Sequence, residues 1–140
     1  MTDQEFVDQF ETCRLPADQF HHRQHLRLAR LYLIRYGEQH AAVRIGEAIR
    51  RYAAHLGKSD KYHETMTIAW LRLTAAAMRR FPNVSFEELL ELSPDLTDKA
   101  TLENYYSPEL LRSDAARLQF VPPDRNPLPD PASFRRDGSG

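Results

Sequence analysis

The chain has six histidines, and four of them fall in two short clusters. His21, His22 and His25 lie in Phe20-His21-His22-Arg23-Gln24-His25, and His63 lies in Lys61-Tyr62-His63-Glu64-Thr65. Neutral imidazole is a nitrogen ligand for zinc, iron and copper. Three imidazoles converging on one point, with a fourth position open, make a catalytic metal site. A carboxylate beside such a site can act as base for a metal-bound water, and Glu64 is the candidate. The expected set is therefore His22, His25 and His63 as metal ligands with Glu64 as the catalytic group. Zn or Fe(II) are the first metals expected, with Cu as a further one. Glu64 can equally be a fourth ligand or an outer acceptor orienting an imidazole, and Asp18 or Asp60 can fill that outer role. The H-E-x-x-H zinc motif is absent, because His63-Glu64 has no second histidine at its spacing.

Helical faces bring these residues together. With about 100° per residue and His22 as origin, Leu26, Ala29, Leu33 and Tyr36 fall within about 40° of it. His25 lies near −60°, on the same apolar stripe. With His63 as origin, Met66, Thr67, Trp70, Thr74, Ala77 and Phe81 lie within about 60°. Consecutive helices joined by short loops run up and down, so the helices carrying the two clusters are parallel. Their first turns then sit at one end of a bundle. His21 flanks the stripe, and His40 and His55 lie near helix ends, where a histidine is ordinarily a capping or packing residue.

The elements that must hold this arrangement are read as follows. Thr2-Asp3-Gln4-Glu5 is a capping box opening a helix over 3–13. A second helix covers 20–36 and stops at Gly37, and a third covers 39–56 and stops at Gly57. The third buries Val43, Ile45, Ile49, Tyr52, Ala53 and Leu56. A fourth helix starts at Ser59 or Asp60 and runs to Arg80. Ser85-Phe86-Glu87-Glu88 opens a short helix to Leu92, Asp98 caps another over 99–105, and Ser107-Pro108-Glu109 starts a last one reaching Phe120. The final 20 residues hold five of the nine prolines and cannot be helical. The expectation is an all-α, compact single domain over 1–121. It has a four-helix core, short C-terminal helices and an extended Pro-rich tail over 122–140, disordered at its end.

Composition narrows the function classes. The 140 residues carry 19 basic and 20 acidic side chains, a formal net charge of −1 that disfavours a general nucleic-acid binder. A single cysteine, Cys13, excludes a disulfide framework, and it has no histidine partner at motif spacing. Neither a transmembrane span nor a signal peptide is evident, so a cytoplasmic protein without membrane contact is expected. Five glycines exclude a Gly-rich phosphate loop as a main feature. The arginines of the second helix, Arg50-Arg51 and Arg79-Arg80 read as solvated faces balanced by nearby acids, with an anion-binding use as the alternative. Trp70, Phe81 and Phe86 read as core, Arg117 as partly buried, and Tyr62, Tyr105 and Tyr106 as candidates for a pocket mouth.

Phe20-x-His22-x-x-His25-Leu26, Lys61-Tyr62-His63-Glu64-Thr65 with Thr67 and Trp70, Tyr105-Tyr106-Ser107, and the ending Phe120-Val121-Pro122-Pro123-Asp124…Pro127-Leu128-Pro129 resemble a family of small uncharacterised bacterial all-helical proteins. The resemblance covers nearly the whole chain and implies no activity, but it makes His22 rather than His21 part of the motif. Two function classes follow. One is a small metal-binding protein acting on a small-molecule substrate by hydrolytic or oxygen chemistry. The other is a non-enzymatic binding or interaction module whose histidines form a buried polar network. A bis-histidine haem protein is a third and weaker reading. Apolar stripes on several helices also allow a homodimer.

Overall fold

A computed structural model describes residues 1–130 of the chain; the disordered end expected for the tail lies outside the described residues. Among these residues every regular element is helical. Helix α1 is Asp3–Glu11, α2 is His22–His55, α3 is Glu64–Arg80, α4 is Phe86–Leu92, α5 is Pro108–Leu111 and α6 is Asp114–Leu118. Short 3₁₀ segments occupy Ala17–Gln19, Ser59–Lys61, Pro94–Thr97 and Lys99–Asn104. No described helix is long and apolar enough to cross a membrane.

The capping signals legible in the sequence set several of these boundaries. Thr2 and Ser85 each form a complete capping box, with Glu5 and Glu88 as reciprocal partners. Ser107 caps α5 ahead of Pro108. The expected break at Gly37 is present inside α2, where φ is 78° and ψ is 165°. That conformation is open in practice only to glycine, so Gly37 turns the chain and splits α2 into two arms, 22–36 and 38–55. The arms are antiparallel, since Phe20 ahead of the first lies 5.5 Å, ring to ring, from Tyr52 near the end of the second.

The first arm lies between two apolar clusters. Leu28, Ala29, Tyr32 and Leu33 pack with Phe6, Phe10, Ile45 and Tyr52 on one side. Leu26 joins Trp70, Leu89, Leu96, Leu102 and Tyr106 on the other. Helix α3 runs parallel to this arm. His22 at its start meets Trp70, and Glu38 just past its end meets Arg79.

Three expectations are corrected. The fourth helix does not begin at Ser59 or Asp60. A 3₁₀ turn fills Ser59–Lys61, Tyr62 and His63 are extended, and α3 starts at Glu64 with His63 as its N-cap. The last helix is not continuous to Phe120, because Ser113 caps a new one by accepting from the Ala116 N–H. Val43, placed on the apolar face of the third helix, is 61% exposed.

Residues 119–130 lack helix but are well tied. Thr65 Oγ1 donates to the Gln119 carbonyl and accepts from the Val121 N–H, Arg72 Nε donates to the Pro129 carbonyl, and Leu128 is buried. This segment and the 94–111 region cover α3 and close one side of the histidine end.

Candidate functional site

The two histidine clusters meet at one end of the bundle. A cavity of about 540 Å³ is bordered there by His21, His22, His25 and His63, together with Lys61, Tyr62, Trp70, Lys99 and Glu103. The parallel course of the first arm of α2 and of α3 produces the meeting. Two reversals set that course, one at Gly37 between the arms of α2 and one over 56–63 between the second arm and α3.

The nitrogen atoms are employed differently. His22 Nε2 lies 2.7 Å from the Leu96 carbonyl, which can only accept, so Nε2 carries the proton and Nδ1 the lone pair. The ring also stands edge-on to Trp70, with centroids 4.5 Å apart. His63 Nε2 likewise donates to the Leu111 carbonyl at 2.7 Å. Its Nδ1 accepts from the Met66 N–H at 3.1 Å and so caps α3. Both nitrogens of His63 are thereby consumed in the fold. His21 is exposed, and its Nε2 bonds the Asp18 carbonyl at 2.8 Å. His40 and His55 are exposed away from this site.

His25 is the exception. Its ring borders the cavity and stands 6.1 Å from Phe20, but Nε2 is sealed from water and has no hydrogen-bond partner. Among the described residues only Thr74 Oγ1 shares that condition, and Thr74 does not line this cavity. Burial holds the His25 imidazole well below its ordinary value, at about 4, and neighbouring His22 pushes the same way. His22 is also lowered, by burial first. The Leu96 carbonyl opposes this and Lys99 adds to it. At neutral pH both rings are uncharged.

Glu64 is turned to other partners. Its Oε1 accepts from the Tyr62 hydroxyl at 2.6 Å and from Arg50 at 3.2 Å, and Glu64 does not border the cavity. Burial, and next the bond to Glu64, raise the Tyr62 phenol above its usual value. Gly46 admits this cluster, since a Cβ there would stand 3.3 Å from the Tyr62 hydroxyl. Of the tyrosines expected at a mouth, Tyr62 borders the cavity. Tyr106 is instead fully buried and donates to the Val121 carbonyl. Asp18 meets His21 through its backbone carbonyl rather than its carboxylate.

Among the described residues no group of three or more histidine, cysteine, aspartate or glutamate side chains is arranged to hold a metal ion. The structure thus gathers His22, His25 and His63 round one space without turning their lone pairs to one point. Lys61 entered the sequence reading only as the first residue of the Lys61–Thr65 motif, with no role, and Lys99 and Glu103 were not singled out. The Leu96 and Leu111 carbonyls, which take two of the imidazole protons, carry no sequence signature at all. For Lys99 a faint signal existed, since the chain has only three lysines beside 16 arginines. No protein-family model matches the chain, and no curated protein and no solved structure matches it either.

Proposed function

We propose that the protein is a small-molecule-binding module whose ligand occupies the cavity at the histidine end. The observation that carries this reading is the unpartnered, buried Nε2 of His25, a residue that borders the cavity. A buried polar atom without a partner costs about 1–3 kcal/mol, and a fold keeps such a group where something else supplies the partner. The ring's terminal torsion is soft, so a modest rotation presents Nε2 to a molecule in the cavity. The volume lies in the range of ligand sites, and the wall combines aromatic and aliphatic surface with a few polar groups.

A metal centre on His22, His25 and His63, with Zn or Fe(II), is the second reading. It is favoured by the carbonyl partners of His22 and His63, because metal-bound imidazoles commonly donate their other N–H to a backbone carbonyl. It requires His63 to give up the α3 cap.

A small-fragment library titrated into histidine-labelled protein tests both. Fragments that bind the cavity are expected to move the His25 ring nitrogens together with the Trp70 indole. A library whose every binder leaves both unmoved overturns the small-molecule reading. Zinc taken up one per chain, moving His22, His25 and His63 together and displacing the Met66 N–H signal, replaces it with the metal centre.

A further inference from the structure

The charged groups round the cavity are unequal. Lys61 and Lys99, two of the three lysines in the chain, border it from different turns, Ser59–Lys61 and Lys99–Asn104. Neither forms an ion pair with a described residue. Several arginines, by contrast, are paired away from the cavity. Arg23 pairs with Glu87, Arg27 with Asp3, Arg50 with Glu64 and Arg79 with Glu38. Among the described residues Glu103 is the only acid bordering the cavity, so two lysines stand against one carboxylate beside the neutral imidazoles of His22 and His25. Low-dielectric walls round an excess of one charge concentrate its field on the opening and attract the opposite charge. The rest of the wall is hydrocarbon and aromatic, including Phe20, Ile49, Met66, Trp70, Leu102 and Leu111. An inorganic anion would leave that surface uncovered, and a neutral or cationic molecule would leave the lysines unmatched.

Resting on the small-molecule reading above, we infer that the ligand is a small organic monoanion, an aromatic or branched aliphatic carboxylate. Its hydrocarbon body lies against Trp70 and Met66, and its carboxylate is met by Lys99 and Lys61 at the mouth. Lysine suits this task where arginine would not, because an ammonium on a flexible stem follows ligands of differing length.

Three probes of one shape and different charge separate the charge inference from the pocket reading: benzoate, benzamide and benzylamine. The indole N–H resonance of Trp70, the single tryptophan, reports on the cavity floor. Benzoate is expected to move it saturably, with at least roughly fivefold better affinity than the other two. Lys99→Ala is expected to weaken benzoate roughly fivefold and Glu103→Gln to tighten it about twofold, with benzamide unaffected by either change. Both side chains are exposed, and circular dichroism checks that the variants stay folded. Benzamide or benzylamine binding as well as benzoate overturns the charge inference and leaves the pocket reading standing. No movement of Trp70 with any of the three overturns the carboxylate inference, while the fragment library decides the pocket reading.

Discussion

The two ends of the bundle each carry a cavity, and the contrast lies in how their polar groups are matched. At the Gly37 end about 470 Å³ is bordered by Leu33, Tyr36, Glu38, Met78 and Arg79. Arg79 there pairs with Glu38 and donates a second bond to the Asp130 carbonyl. At the histidine end about 540 Å³ is bordered by an imidazole with a sealed, unpartnered nitrogen and by two lysines without an ion-pair partner among the described residues. Volume does not separate the two. Elsewhere this fold pairs its charges over long sequence separations, as with Arg23 and Glu87 or Arg27 and Asp3. The difference teaches that an unmatched group beside a space, rather than the space, marks where a partner is missing.

The contrast also divides the histidine end itself, since His63 is fully satisfied and His25 is not. The largest effect expected from a single change is therefore at His63. His63→Ala removes the α3 cap and leaves the Leu111 carbonyl unpaired. Together these should lower stability by about 3 kcal/mol in urea unfolding at pH 7.5. His63→Asn keeps a capping oxygen and should recover about 1 kcal/mol of that. A loss below about 1 kcal/mol for His63→Ala would mean that His63 is as unattached as His25, and the division within this end would be gone.

How much of this was legible in the chain follows from the kind of interaction involved. Capping boxes at Thr2 and Ser85 are local, needing only residues three apart, and both were readable. Gly37 announced its own turn, because a positive φ selects its residue type. From those two kinds of signal the parallel course of the helices followed, and with it the meeting of His22, His25 and His63. The start of α3 was misread because Ser59 and Asp60 are good caps in isolation. The 3₁₀ turn they open ends within three residues, and His63 does the capping. What His22 and His63 bond could not be read, since their acceptors are backbone carbonyls 74 and 48 residues away. For the same reason the exceptional status of His25 is a property of the packed fold. Glu64 stood next to a histidine in sequence, yet Tyr62 and Arg50 claim its carboxylate.

A smaller effect comes from the unmatched group. The His25 imidazole is held at about 4 in the fold against 6.5 when free, so between those values the unfolded chain binds the additional proton. Stability attributable to this group is then full above about pH 6.5 and falls as pH drops toward 4. At pH 5.5 the loss relative to pH 7.5 should be about 1 kcal/mol. His25→Leu removes the titrating group and should flatten this part of the profile, with little change at pH 7.5 because no protein hydrogen bond at Nε2 is lost. Urea midpoints across pH 5–7.5 provide the measurement. An equally steep profile in His25→Leu would show that Nε2 meets a partner or water in solution, and the two ends would then differ less than the geometry says.

The smallest effect, that of Arg23→Ala, sharpens the contrast from the side of the paired charges. Arg23–Glu87 and Arg79–Glu38 are the same chemistry in different surroundings. The first pair's side chains are 48% and 69% exposed, and the second pair's are 26% and 19%. Water screens the outer pair, and holding two long side chains in one geometry costs entropy, so Arg23→Ala should change stability by no more than about 0.5 kcal/mol. Arg79→Ala takes the ion pair from a largely buried carboxylate and frees the Asp130 carbonyl, and it should cost about 2 kcal/mol. Urea unfolding at two salt concentrations separates them. The outer pair's small contribution should fade with added salt, while the inner pair's should persist. Equal costs for the two changes would mean that Arg79 is as solvated as Arg23. The Gly37 end would then no longer be the matched counterpart against which the histidine end stands out.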